Sequence, residues 1–313
     1  MTKTGMEILD GKETNGFDEY LGVTVHKTDG GYILHQQEIL EKLEKDFGDS
    51  INEVKSSDSP MKPGYTVQRP QKGDEGMLQP LDQKKYRSGV GILNYLVKHT
   101  RPDLCNAIRE LSKVMDGATE NHLKDLYRVI KYTLQTRKLG YPVIPTHYPE
   151  DPSKEWIIEV WVDSDWAGDK DTRRSVTGYE IYVNGVLVQK KSRLQKTVAL
   201  SSCEAEYIAC ANVASEVLCI KQVIESMNVT IQYPIIVNMD NEGAIFLSNN
   251  ESTTRTKHID VKHHFVRELT EGPNPILKTK YVESSKNKAD MCTKNLPVHV
   301  FKKEVDKRLV ELS

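Results

Sequence analysis

Four carboxylate residues lie where predicted strands end or predicted helices begin, and together they could bind divalent cations. They are Asp163, Glu206, Asp240 and Asp290. Carboxylate oxygens are hard ligands that suit Mg²⁺, and several acids at one point repel each other unless a cation is present. Two Mg²⁺ ions roughly 3.5 to 4 Å apart can activate a water molecule and stabilise the leaving oxygen of a phosphodiester. This set therefore predicts metal-dependent hydrolysis of a nucleic-acid backbone.

The segment SSCEAEYIA contains two glutamates, and helix geometry separates their predicted roles. With Ser201 as the N-cap of a long helix, Glu204 occupies the third helical position and completes a capping box, which is a structural role. Glu206 instead begins a stripe of apolar residues at helical spacing that must face a sheet. The stripe continues through Cys210, Val213, Val217, Ile220 and Ile224. A carboxylate at the end of a buried stripe is costly unless a charge compensates it, so Glu206 is the predicted functional residue.

The three aspartates each adjoin the end of a predicted element. Asp163 ends the strand in WVDSDWAG, Asp240 follows the apolar strand PIIVNMD, and Asp290 lies in NKADMCTK near the start of a helix. The carboxyl ends of strands are the usual location of sites in open α/β sheets. Asp240 and Asp290 could each serve instead as a helix N-cap, a structural alternative that either residue taken alone leaves open.

The elements that must position these acids follow the order βββαβαβα. The first three strands are predicted in EWIIEVWVD, SVTGYEIYV and VLVQKKS. Asn184-Gly185 between the last two is a strong hairpin signal, because both residues accept a positive φ. A long helix over about 202–227, a strand, two helices, a further strand and C-terminal helices follow. This order predicts an α/β fold, a mixed five-stranded sheet with flanking helices.

The chain before residue 141 has a different pattern. Residues 19–36 alternate apolar and polar side chains and predict a β-hairpin, residues 49–80 lack periodicity and predict a loop, and residues 82–140 have a helical pattern. Four prolines within 141–155 mark a linker. The predicted organisation is a first segment over 1–140, a linker over 141–155 and an α/β domain over 156–313.

Basic residues concentrate near the acidic set and could hold the phosphates of a nucleic acid. They are Arg173, Arg174, Lys190, Lys191, Arg193 and Lys196. Such a cluster would read backbone shape without sequence preference, and a solvated hairpin surface is the structural alternative. His258, His263 and His264 lack the spacing of a zinc site, and no thiol accompanies them.

Composition narrows the class of protein. The 313 residues are 38% hydrophobic and 28% charged, which is typical of globular proteins and leaves room for two domains. A net charge of −2 gives no overall attraction to nucleic acid, so any contact must be local. Five cysteines without a CxxC pair predict reduced thiols. No secretory signal or membrane-length apolar run is recognisable, which predicts a cytosolic or nuclear protein without membrane contact.

Six sequence blocks over about 135 residues resemble the ribonuclease H domain of copia-type retrotransposon polyproteins. The blocks are VDSDWAGD, RRSVTGY, VALSSCEAEY, MDNEGAI, RTKHID and NKADMCTKNL. Upstream, EYLGVTV, YRSGVGILNYL and TRPDLCNAI are similar to the stretch that follows the polymerase palm in those polyproteins. The resemblance implies a ribonuclease H-like fold after a connection-like segment, and it assigns the four acids to the family's catalytic positions.

The resemblance also implies an activity, which is Mg²⁺-dependent endonucleolytic cleavage of the RNA strand of RNA/DNA hybrids. Two Mg²⁺ ions are expected, with Mn²⁺ as a substitute. The loop VESSKNKAD lacks the histidine that many cellular relatives carry there, which concerns product release more than metal binding. The sequence contains no Asp-Asp pair, so DNA synthesis by this chain alone is not expected.

The expected partners are an RNA/DNA hybrid and, within the polyprotein, the missing reverse-transcriptase palm or other products. Two alternative hypotheses stay open at this point. In the first, the chain is a catalytically silent relic that binds nucleic acid, and in the second it is a structural part of a reverse transcriptase that lacks its own palm.

Overall fold

A computed structural model describes residues 19–71, 75–147, 155–249 and 260–312, without the side chains of 19, 246–249 and 260–264. These residues form two five-stranded sheets with helices packed on them. One sheet is built largely from the first half of the sequence, and the other contains the predicted acidic residues.

The first sheet has antiparallel pairings throughout. Its strands, in order across the sheet, are β1 (Glu19–Tyr20), β2 (Val23–Thr28), β3 (Gly31–His35), β4 (Leu139–Val143) and β10 (Val310–Glu311). The helices that belong to this half are α1 (Gln37–Phe47), α2 (Pro80–His99), α3 (Cys105–Ser112) and α4 (Glu120–Gln135). Strands β2 and β3 form the predicted hairpin.

The second sheet is the mixed sheet that the sequence predicted. Its strands are β5 (Ile158–Asp165), β6 (Val176–Val183), β7 (Val186–Leu194), β8 (Ile235–Met239) and β9 (Leu277–Tyr281). The order across the sheet is β7-β6-β5-β8-β9, with β5, β6 and β7 antiparallel and with β8 and β9 parallel to β5. Its helices are α5 (Ser202–Ser226), α6 (Glu242–Asn249), α7 (Asp260–Thr270), α8 (Asp290–Thr293) and α9 (Val298–Asp306).

The turn between β6 and β7 has the backbone that its sequence requires. Asn184 has a φ of 48° and Gly185 a φ of 84°. Two consecutive residues with positive φ are the mark of a type I′ turn, whose twist matches that of the flanking strands. The Asn-Gly pair therefore sets the register of the hairpin next to the turn, and the register shifts once, between Ile181 and Tyr182, before the strands reach the site.

Strand β5 is buried on both faces, because alternate side chains enter two different cores. Val160 and Val162 pack with the apolar stripe of α5, whereas Trp161 belongs to a core that α2, α3 and α4 also line. Within the described residues, α5 is long and apolar enough for a membrane span by composition, yet half of its most apolar stretch is buried inside the protein. A helix that covers a sheet has the same composition.

The beginning of the predicted linker is a strand rather than a loop. In β4, Pro142 lies opposite Ile33 of β3, and β10 pairs only with Leu139 and Gly140. On the side away from β3, Pro142 therefore lies at an edge of the sheet, where a missing N–H is tolerated. The prolines predicted a linker over 141–155, but residues 141–143 belong to β4. Residues 144–147 have irregular structure, and 148–154 lie outside the described residues.

The two halves share one core. Residues of α8 and α9, including Met291 and Phe301, pack into the cluster formed by α2, α3 and α4. A buried ion pair between Arg308 and Glu180 of β6, with N–O distances of 2.7 Å, holds the segment after α9 against the second sheet. Contacts of this kind do not mark where one domain ends and the next begins. The boundary between a first segment and an α/β domain therefore stays a prediction.

Candidate active site

Three of the four predicted acids converge at one edge of the second sheet. One carboxylate oxygen from each of Asp163, Glu206 and Asp240 lies within 4.8 Å of the other two. Asp163 lies near the carboxyl end of β5, and Asp240 follows the parallel neighbour β8, so both lie at the same edge of the sheet. Glu206 reaches this edge from the first turns of α5, which packs on the sheet. Three elements distant in sequence thus form one carboxylate cluster.

Glu206 is a buried member of this carboxylate cluster. It is 4% exposed, and its Oε1 accepts hydrogen bonds of 2.9 Å from the backbone N–H and the hydroxyl of Ser164. Its Oε2 is buried and has no hydrogen-bond partner among the described residues. Burial, together with the charges of Asp163 and Asp240, raises the pKa of Glu206 to about 9. A buried acceptor without a partner is costly, and a cation would satisfy it.

The neighbouring Glu204 has the structural role that helix geometry predicted. The hydroxyl of Ser201 accepts a hydrogen bond of 3.1 Å from the backbone N–H of Glu204. Glu204 Oε2 accepts one of 2.8 Å from the backbone N–H of Leu200. This pair of side chains caps the start of α5 and leaves Glu206 free to face the sheet.

The fourth predicted acid, Asp290, lies beside Asp163 but outside the cluster of three. Lys294 links the two acids, since its Nζ is 3.1 Å from Asp290 Oδ1 and 3.4 Å from Asp163 Oδ2. The hydroxyl of Thr293 also donates a hydrogen bond to Asp163 Oδ2. Burial and the charge of Asp163 raise the pKa of Asp290 to about 7, against the opposing effect of Lys294. Asp290 therefore extends the acidic site toward α8.

A glycine on β6 lets α8 approach the sheet closely enough to bring Asp290 here. A Cβ added at Gly178 would lie 2.5 Å from Cγ2 of Thr293 and 2.9 Å from Cβ of Cys292. Any side chain at this position would push α8 outward. Gly178 pairs with Asp163 across the β5–β6 ladder, so the close approach occurs next to the cluster.

Sequence reasoning did not identify three residues that orient the acids. They are Ser164, Thr293 and Lys294. Thr293 and Lys294 stand three and four positions after Asp290, the spacing that places side chains on one face of a helix. That spacing was a usable signal in NKADMCTK.

The predicted basic cluster is divided between the two faces of β7. Lys191 and Arg193 are exposed, as are Arg173 and Lys196, whereas Arg174 is half-buried. Lys190 points the other way, with its Nζ 5.2 Å from the ring centre of Tyr141 and 3.4 Å from the carbonyl oxygen of Lys98. Burial lowers the pKa of Lys190. Because neighbouring strand residues face opposite sides, Lys190 cannot share a surface with Lys191, which corrects that part of the prediction.

The three histidines whose spacing does not match a zinc site fall where the structure describes no side chains. His258 lies outside the described residues, and the side chains of His263 and His264 are not described.

Comparison with known proteins establishes the family. The retrovirus-related Pol polyprotein from transposon TNT 1-94 of Nicotiana tabacum is 35% identical over 72% of this chain. The corresponding protein from transposon RE1 of Arabidopsis thaliana is 34% identical over 70% of it. The chain belongs to the retrovirus-related Pol polyproteins of copia-type retrotransposons. This Pol chain spans only 16% and 14% of the lengths of these two relatives.

Other comparisons differ in what they cover. The secreted RxLR effector protein 161 of Plasmopara viticola is 37% identical over 42% of this Pol chain and 87% of its own length. No family model matches the sequence. The solved structure of LC11-RNase H1, isolated from compost, has a TM-score of 0.35 and 16% identity, covering 48% of this chain and 96% of the other.

The same ribonuclease in a crystal with an RNA/DNA hybrid has a TM-score of 0.31 and 17% identity, covering 44% of this chain and 93% of the other. The strand order and pairing of the second sheet, described above, give this Pol chain a ribonuclease H-like fold.

Proposed function

We propose that this chain hydrolyses the RNA strand of RNA/DNA hybrids endonucleolytically, as the nuclease part of a copia-type Pol polyprotein. The observation that supports this most strongly is the convergence of Asp163, Glu206 and Asp240, together with a buried Glu206 oxygen that has no hydrogen-bond partner among the described residues. Such an arrangement is unfavourable by itself and favourable around a divalent cation.

The donor set fits Mg²⁺, with Mn²⁺ as a substitute, because every side chain in it offers carboxylate oxygen. Asp163 and Asp240 would lie closest to two ions, with Glu206 and Asp290 each completing one site. When bound, such a pair of ions supplies an activated water and stabilises the leaving 3′ oxygen of the cleaved strand.

The protein's own residues hold the acids in place. Ser164 fixes Oε1 of Glu206 through two hydrogen bonds, which leaves Oε2 without a hydrogen-bond partner among the described residues. Thr293 fixes one oxygen of Asp163 in the same manner. Because these partners are short side chains on rigid elements, the carboxylates are oriented before substrate or metal arrives.

The exposed basic residues near the site supply contacts to the hybrid in this proposal. They are Arg173, Lys191, Arg193 and Lys196, with the half-buried Arg174 beside them. Contacts from flexible cations to phosphates depend on salt and not on base sequence, as expected for an enzyme that recognises hybrid shape. Other products of the polyprotein, including a polymerase palm, are further proposed partners.

The test is cleavage of an end-labelled RNA/DNA hybrid by the purified chain with and without Mg²⁺. We expect cleavage of the RNA strand only with the metal, and none by the Asp163→Asn variant. Glu204→Gln serves as the matched control, since Glu204 is an acid near the cluster whose hydrogen bonds with Ser201 and Leu200 cap α5. Cleavage by Asp163→Asn at the wild-type rate would refute the proposal, as would the absence of Mg²⁺-dependent cleavage by the folded wild-type chain. Either result would favour a silent or structural role.

A further inference from the structure

Lys294 brings a positive charge into the acidic site on a side chain that is 40% exposed. Its ammonium group is 3.1 Å from an oxygen of Asp290 and 3.4 Å from an oxygen of Asp163. Within the described part of the chain, no other lysine or arginine lies within 4 Å of either carboxylate. Lys294 is thus the cation that joins these two acids.

The charges around Lys294 explain why the metal-free protein needs it. Asp163 is 1% exposed, and Asp290 and Glu206 are close enough for Asp163 to raise the pKa of both. Buried like charges repel strongly because little solvent screens them. An ammonium group between Asp163 and Asp290 offsets part of that repulsion.

The same contacts place Lys294 in competition with a metal. A divalent cation bound between Asp163 and Asp290 would use carboxylate oxygens that the ammonium now contacts. By contrast, Glu206 and Asp240 have no ion pair with a basic side chain among the described residues. The acidic site therefore has two unequal ends, one open to a cation and one already neutralised.

We propose that Lys294 is a tethered counter-ion that stabilises the metal-free site and must withdraw when a cation binds between Asp163 and Asp290. This inference rests on the proposed metal site and adds an order of binding to it. The first ion binds tightly at the end formed by Glu206 and Asp240, and the second binds more weakly because it displaces the ammonium. The partly exposed side chain has room to swing into solvent.

The experiment is calorimetric titration with Mg²⁺, together with thermal melting of the metal-free and Mg²⁺-loaded protein. For Lys294→Gln we expect a lower metal-free Tm and about a tenfold lower Kd for the weaker Mg²⁺ site, because one nearby positive charge is removed. Lys294→Arg should resemble the wild type, since it keeps the charge.

Lys221→Gln is the matched control, because Lys221 also pairs with an acid four positions away on a helix, at 2.8 Å from Glu225. It should leave Mg²⁺ binding unchanged. An equal or higher Kd for the weaker site in Lys294→Gln overturns the counter-ion proposal, as does Lys294→Arg behaving like Lys294→Gln. Failure of the metal site itself is distinguishable, because the wild-type chain would then bind no Mg²⁺ in either measurement.

Discussion

Replacing Glu206 with glutamine removes an ionisable carboxyl from the acidic cluster while nearly preserving the shape of the side chain. In the metal-free protein, the pKa of Glu206 is about 9, against an ordinary value of 4.5. Keeping this carboxyl protonated at pH 7 costs about 3 kcal/mol relative to the unfolded chain, in which it would be ionised, and ionising it in the folded protein would cost about 6 kcal/mol. Glutamine avoids that cost, and its Oε1 can still accept the two hydrogen bonds from Ser164.

We therefore expect metal-free Glu206→Gln to be more stable than the wild type at pH 7, by up to about 3 kcal/mol. For a protein of this size that corresponds to a rise in Tm of about 5 °C. The same change removes an anionic ligand, so added Mg²⁺ should stabilise the variant much less than the wild type. Increased stability with loss of the metal response is the signature of a carboxylate held in place for a cation.

The assay is thermal melting at pH 7 in chelator and in saturating Mg²⁺, with hybrid cleavage measured on the same samples. Glu204→Gln is the control, because Glu204 lies two residues away and caps α5. This variant should change the free energy of unfolding of the metal-free protein by less than about 1 kcal/mol. It should also keep the full stabilisation by Mg²⁺. If metal-free Glu206→Gln melts at or below the wild type and still responds fully to Mg²⁺, the assigned role of Glu206 is wrong.

Three further predictions concern the same region. Because the pKa values of Glu206 and Asp290 are raised, the folded metal-free protein binds more protons than the unfolded chain, so its Tm should fall as pH rises from about 5 to 9, and saturating Mg²⁺ should flatten that slope. Gly178→Ala should displace α8 and reduce both Mg²⁺ binding by calorimetry and cleavage, without unfolding the sheet by circular dichroism. Lys191→Glu should weaken hybrid binding in a filter or anisotropy assay at low salt, whereas Lys190→Gln should mainly lower the Tm.

Local rules predicted the parts of the site that depend on one element at a time. Helix periodicity distinguished Glu206 from Glu204 because the faces of a helix are set by spacing alone. The turn at Asn184-Gly185 followed from backbone sterics, and the φ values of both residues agree. The mixed sheet followed from the order of the elements, which left few topologies to consider.

The features that sequence reasoning missed depend on contacts between distant segments. Strand β4 contains a proline and a glycine, so its own residues indicate a linker, and only pairing with β3 and β10 makes it a strand. The ion pairs of Lys294 likewise require β5 and α8 to meet, which the sequence does not reveal. Lys190 is different, since strand alternation alone could have separated it from Lys191.

The pairing of β10 with β4 has a consequence for how this chain folds during synthesis. Leu139 and Glu311, which face each other in that ladder, are about 170 residues apart in sequence. Nearly the whole described chain must therefore leave the ribosome before β10 can pair with the edge of β4 in the first sheet. Until then β4 is an open edge, and an open edge is where a nascent chain pairs with the wrong partner, so a chaperone that shields it would raise the yield of native protein.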